Sequence, residues 1–127
     1  MQTFKKDERL HGKKNIERLF SEGQTFYVGP IKVYWIERDY AGEYPIRVLI
    51  AVSKRTIRHA VRRNLLKRRM REAYRINKCN FYNFLTSRGK QYDLGIVYIG
   101  RDLMQYHDIE KRIIQILKRL STDNHTS

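Results

Sequence analysis

Residues 60–75 read AVRRNLLKRRMREAYR, with seven Arg or Lys against a single acid, Glu72. Like charges one helical turn apart repel by a few tenths of a kcal/mol per pair. Such a stretch folds only where another force holds it. At about 100° per residue the apolar positions Leu66, Met70 and Ala73 line up on one side. Asn64, Arg68, Arg71 and Arg75 fall in a narrow sector opposite. Lys67 and Arg63 flank one border of that sector, and Arg62 and Arg69 the other. The spacing predicts a helix over about 57–76, docked through its Leu66 side and presenting an unbroken cationic face.

The rest of the chain does not offset this charge. Lys and Arg number 27 against 13 acids, for a net charge of +14 and a pI near 10.2. An excess of that size points to a polyanionic partner, most often nucleic acid. The cationic row has one-turn spacing of about 5–6 Å, comparable to the step between phosphates on a strand. Arg forks onto phosphate in bidentate fashion, and Asn64 within the row can bond a ribose hydroxyl or a base edge. A solvated helix face would show mixed signs. A membrane-surface helix would need a broad, bulky apolar face, whereas the Leu66–Met70–Ala73 seam is narrow and suits a core. The preceding SKRTIRHA adds Lys54, Arg55 and Arg58 in a loop directly after a strand, where they can hold a phosphate.

No run approaches the length of a membrane span. The N-terminal MQTFKKDERLHGKK lacks the apolar region of a secretory signal, so a soluble, cytoplasmic protein is expected. One cysteine, Cys79, excludes an internal disulfide and reads as a reduced structural thiol. The length of 127 residues fits one domain spanning 1–127, with an ordered core at about 9–120 and flexible ends.

Along the chain, Ile16, Leu19 and Phe20 share a face of a short helix at 13–22 that Gly23 ends. IKVYWIER (31–38) alternates, with Ile31, Val33 and Trp35 on one face and Lys32, Tyr34 and Ile36 on the other. AGEY (41–44) resembles a hairpin turn. PIRVLIAVS (45–53) is more apolar and reads as a more central strand. QTFYV (24–28) is a further candidate strand and YDLGIVYIG (92–100) another. CNFYNFLTSRGKQ (79–91) is aromatic and ends on a glycine turn. Asp108 is placed to cap a last helix with an Ile109–Ile113–Ile116–Leu117–Leu120 stripe. The expected fold is α/β (α+β), a two-layer sandwich with a four-stranded mixed sheet, in the order α-β-β-β-α-β-α.

Nothing in the chain forms a catalytic constellation. His11, His59, His107 and His125 are scattered, and none makes a ligand pair with another His or with Cys79. His107, Asp108 and Glu110 are explained by helix capping. Glu37 and Asp39 at a strand end could chelate Mg²⁺, but on so basic a chain they read as local neutralisation. No metal site is expected.

Taken together, VSKR followed by AVRRNLLKRRMREAYR resembles the signature of the protein subunit of bacterial ribonuclease P. The matching positions are Ser53, Lys54, Arg55, Arg63, Asn64, Lys67, Arg68, Arg71, Ala73 and Tyr74. NIERLFSEG resembles that family's first helix and IKVYW its central strand, so the likeness covers residues 9–120. Leu65 stands where the family has a third basic residue, and the loop between Ser53 and Asn64 is one residue longer and lacks a glycine. The resemblance implies a left-handed crossover and a job. The family's RNA subunit is the catalyst and cuts precursor tRNA with Mg²⁺ to make the mature 5′ end. The protein has no catalytic residues, binds that RNA through the basic helix, and receives the single-stranded 5′ leader in a cleft. The partners are then the ribonuclease P RNA and precursor tRNA, with no membrane, no required protein partner, and no cofactor on the protein alone. RNA contacts would fall to Lys54, Arg55, Arg58, Arg62, Arg63, Asn64, Lys67, Arg68, Arg71 and Arg75. Tyr34 and Lys32 on one strand face would make a stacking platform, with Phe20 and Ile16 as an adjoining wall. From pattern alone Phe20 and Ile16 fit a plain core better, and Tyr34 fits a half-exposed strand aromatic equally well. The competing reading is a ribosomal or ribosome-assembly protein using the same helix.

Overall fold

The computed structural model describes residues 8–38 and 44–122. Its elements are α1 (Lys13–Glu22), β1 (Gln24–Val28), β2 (Ile31–Glu37), β3 (Ile46–Val52), α2 (Ala60–Asn77), α3 (Cys79–Ser87), β4 (Tyr92–Tyr98) and α4 (Tyr106–Leu120). The strands form one mixed sheet in the order β1-β2-β4-β3, antiparallel except for the parallel pair β3 and β4.

Strand alternation divides the sheet into two unlike faces. One face carries Phe26, Ile31, Val33, Trp35, Ile46, Val48, Ile50, Val52, Leu94 and Ile96, all buried. Helices α2 and α4 cover it. Leu66, Met70, Ala73 and Tyr74 of α2 are fully buried, as are Ile109, Ile113, Ile116 and Leu120 of α4. Burying a large apolar side chain is worth about 1.5–3 kcal/mol, which outweighs like-charge repulsion of tenths of a kcal/mol per pair on the outer side of α2.

The second face is half open. Helix α1 lies on it through Leu19, made possible by Gly95 in the middle of β4. A Cβ at Gly95 would come within 3.1 Å of Leu19 Cδ2 and 3.4 Å of Tyr34 Cβ. Gly23 is required for a similar reason. Its φ of −69° is ordinary, but a Cβ there would collide with the Leu19 carbonyl oxygen as the chain turns from α1 into β1. At the far end of this face Asp93 is buried and accepts both Arg47 Nε (3.0 Å) and Nη2 (3.1 Å). Arg38 Nε lies 3.8 Å from the same carboxylate. Burial pulls the Arg38 pKa below its ordinary value, and Asp93 partly offsets that.

Several expectations change. CNFYNFLTS forms the extra helix α3, inserted between α2 and β4. PIRVLIAVS is an edge strand, not a central one. It is apolar because the segment before α1 covers that edge, with Arg9 bridging to Val48 and the Leu10 N–H donating to the Val48 carbonyl at 2.8 Å. The AGEY turn lies largely outside the described residues, but β2 and β3 are not hydrogen-bonded neighbours, because β4 runs between them. Asp108 does not cap α4. The helix begins at Tyr106 after Gln105, and Asp108 sits in the first turn, where its charge complements the helix dipole. Helix α2 starts at Ala60, since Ile57 belongs to a buried turn closed by its N–H on the Ser53 carbonyl (3.2 Å).

A buried polar cluster ties the chain start to the α2–α3 junction. Lys78 Nζ donates to Glu8 Oε1, Tyr82 OH donates to the same oxygen at 3.0 Å, and Tyr74 OH lies 3.1 Å from Tyr82 OH. Burial pushes both tyrosine hydroxyls well above the usual phenol range. Removing one partner of a buried charge pair strands the other. Lys78→Met should therefore destabilise the protein by about 3–5 kcal/mol in chemical denaturation. The double change Lys78→Met with Glu8→Leu should recover most of that loss.

Candidate nucleic-acid interface

The outward face of α2 follows from its docking. With Leu66, Met70 and Ala73 turned to the sheet, Arg62, Asn64, Arg68 and Arg71 are exposed. Among the described residues no ion pair or side-chain hydrogen bond engages Arg62, Arg68 or Arg71. The other members of the predicted set are held more closely. Arg75 Nε donates to Glu72 at 2.6 Å, which pulls the Glu72 carboxyl below its ordinary range and raises Arg75. Arg63 Nη1 folds back onto the carbonyls of Ile57 (2.9 Å) and Arg58 (2.6 Å). Arg69, on the border, donates to the Met104 carbonyl at 2.6 Å. Lys67 is half-buried.

The loop ahead of α2 is anchored at its base. The Ser53 N–H donates to the Tyr98 carbonyl at 2.9 Å and the Arg55 N–H to Ser53 Oγ at 3.3 Å. This holds Lys54, Arg55 and Arg58 out in solvent, at the end of β3.

The second sheet face supplies an aromatic surface beside that loop. The register places Tyr27, Lys32, Val97 and Ala51 in one row across the four strands, and Thr25, Tyr34, Gly95 and Leu49 in the next. Leu19 covers the Gly95 row. Phe20, 42 % exposed, meets Tyr34 edge-to-face with ring centroids 4.6 Å apart. Lys32 Nζ sits 4.9 Å from the Tyr34 ring centre and 5.7 Å from that of Tyr27. Tyr34 is the largest influence raising the Lys32 pKa above its ordinary value, so the ammonium is charged at neutral pH. Ile16 is half-buried one turn before Phe20. The anchor of α1 is Leu19, which leaves Phe20 available as a wall.

Tyr27, 57 % exposed, is the member that sequence reasoning missed. Its signal was present in QTFYV, where Phe26 and Tyr27 alternate faces, but only the pairing of Tyr27 with Lys32 reveals which side it serves. Cys79 is exposed at the start of α3 instead of packed. Asp39, half of the acidic pair considered for Mg²⁺, lies outside the described residues, and Glu37 is exposed. Among the described residues no group of three or more His, Cys, Asp or Glu could hold a metal ion, and no helix is long and apolar enough to cross a membrane.

The model of the Ribonuclease P family matches residues 4–121. The chain belongs to the ribonuclease P protein family. It is 32 % identical over 117 residues to the ribonuclease P protein component of Porphyromonas gingivalis, covering 91 % of this chain and 85 % of that one. It is 32 % identical over 124 residues to that of Petrotoga mobilis, covering 94 % and 96 %. In fold it is similar to the Staphylococcus aureus RNase P protein, with a TM-score of 0.70 at 22 % identity, over 89 % of this chain and 94 % of that. The Thermotoga maritima RNase P protein gives 0.66 at 22 %, over 88 % and 96 %. Family membership decides against the ribosome-assembly reading.

The geometry separates Arg63 from its neighbours in this ribonuclease P protein. Arg63→Ala removes two hydrogen bonds to loop carbonyls and should cost about 1–3 kcal/mol of stability, with faster amide exchange across 54–59. Arg68→Ala should stay within about 0.5 kcal/mol of wild type.

Proposed function

We propose that this chain is the RNA-binding accessory subunit of ribonuclease P, promoting endonucleolytic maturation of tRNA 5′ ends. Arg62, Asn64, Arg68 and Arg71, flanked by Lys67 and Arg75, bind the backbone of the ribonuclease P RNA. Lys54, Arg55 and Arg58 extend that contact at the end of β3, and Arg63 shapes the loop that presents them. The single-stranded leader of precursor tRNA lies on Tyr34, Lys32 and Tyr27 with Phe20 and Ile16 as its wall. Unpaired bases stack on aromatic rings while the ammonium meets phosphate. Catalysis belongs to the RNA subunit and requires Mg²⁺ bound within the RNA-containing holoenzyme, with no cofactor on the protein. No other protein partner is needed, and the cytoplasm is the site of action.

One observation carries the reading. The exposed guanidinium groups of Arg62, Arg68 and Arg71 on α2 meet no carboxylate among the described residues, and the loop that leads into α2 opens beside an aromatic–cation surface on the opposite sheet face. A solvated helix would pair its charges, and a self-sufficient nuclease would cluster acids or histidines.

Reconstitution with a cognate RNA subunit tests the function directly. The protein should restore precursor tRNA cleavage at low millimolar Mg²⁺ and show no cleavage alone. Failure to improve rate or affinity would remove the reading. The double change Arg68→Ala and Arg71→Ala should weaken RNA binding at an unchanged thermal midpoint. Tyr34→Ala should cost about 1–3 kcal/mol of binding on precursor with a leader and little on mature tRNA. Equal losses on both would contradict the platform.

A further inference from the structure

The platform does not end at the sheet. Strand β1 pairs only with β2, so its outer edge is unpaired among the described residues. Its side chains look both ways. Tyr27 belongs to the platform, while Phe26 faces α4. There Arg119 stacks on the Phe26 ring, its guanidinium carbon 4.1 Å from the ring centre. Arg112, two turns earlier, lies against Gly29. A Cβ at Gly29, whose φ is +56°, would come 2.8 Å from Arg112 Nε. Arg112 is half-buried and its buried Nε has no hydrogen-bond partner among the described residues. Asp108, one turn before Arg112, makes no ion pair with it, and α4 carries no acid after Glu110, which is engaged by Asn77 and Tyr106. The two arginines, about 10 Å apart along the axis of α4, thus lie beside the β1–β2 turn and against Phe26 of β1, round the corner from Tyr27.

We propose that the β1 edge with Arg112 and Arg119 forms a second phosphate-binding track for single-stranded RNA, taking leader nucleotides that overrun the platform. The inference rests on the platform reading and extends it. Direction follows from the sheet order. The basic loop that meets folded RNA lies at the β3 edge, and β1 is the opposite edge. A leader held at the β3 side by the tRNA body therefore exits over β1. Stacking on Phe26 pre-orients Arg119, which lowers the entropy lost when it takes a phosphate. Backbone N–H groups on the unpaired edge of β1 add donors of the kind a sheet edge presents.

The test is single-turnover cleavage by the reconstituted holoenzyme, with precursor tRNA carrying either a short leader of about four nucleotides or a long one of about ten. The double change Arg112→Gln and Arg119→Gln should raise the half-saturating enzyme concentration roughly tenfold for the long leader and leave the short-leader value unchanged. Equal loss on both leaders, or no loss on either, overturns the track. Wild-type enzyme provides a measurement free of any folding defect. Its affinity should keep rising as the leader lengthens past the platform, and a plateau at the short leader contradicts the proposal. Tyr34→Ala in the same assay keeps the two readings apart. If it depends on a leader while the arginine pair does not, only the track fails. If neither variant depends on a leader, the platform fails with it.

Discussion

Helix α2 carries a row of cations that repel one another in the free protein, and the proposed RNA-binding role depends on how that row is held. The hold is apolar. Leu66, Met70, Ala73 and Tyr74 are fully excluded from water against β3 and α4, and their burial outweighs the repulsion by several kcal/mol. The fold thereby leaves Arg62, Arg68 and Arg71 exposed and, among the described residues, without an ion pair. In the proposed function, phosphates bound there would relieve that repulsion, which would couple RNA binding to the stability of α2.

The sheet serves two purposes because its two faces differ. The Trp35 face is packed continuously under α2 and α4. The Tyr34 face is covered only where Gly95 lets Leu19 approach. The remaining row of Tyr27, Lys32, Val97 and Ala51 stays reachable, and the loop after β3 opens beside it. One central glycine therefore determines where α1 sits and how much of the platform is left open.

Period-based reading recovered the helices and strands whose faces differ sharply. Helix α1 is found at 13–22, β2 alternates as expected, and the buried side of α2 is the one its heptad-like spacing indicates. It missed α3 because CNFYNFLTS has apolar residues on several sides, Phe81 and Leu85 inward and Phe84 and Tyr82 half-covered, so no single stripe stands out. It misplaced β3 because hydrophobicity reports burial and not position in a sheet, and an edge covered by residues 8–10 is as dry as an interior. In the interface, residue type revealed which cations exist, but only the folded arrangement separates Arg68 and Arg71 from Arg63, which folds back on its own loop. The side that Tyr27 serves was hidden for a related reason, since its partner Lys32 is fixed by strand register.

The most direct measurement is the salt dependence of binding to the ribonuclease P RNA. Neutralisation of about five to eight phosphates should make log K fall with log salt at about 0.7–0.9 per contact. Arg68→Ala and Arg71→Ala should each reduce that slope by about one contact. A nearly flat dependence, or a slope unmoved by either substitution, would mean that the bare face of α2 is not where the RNA sits.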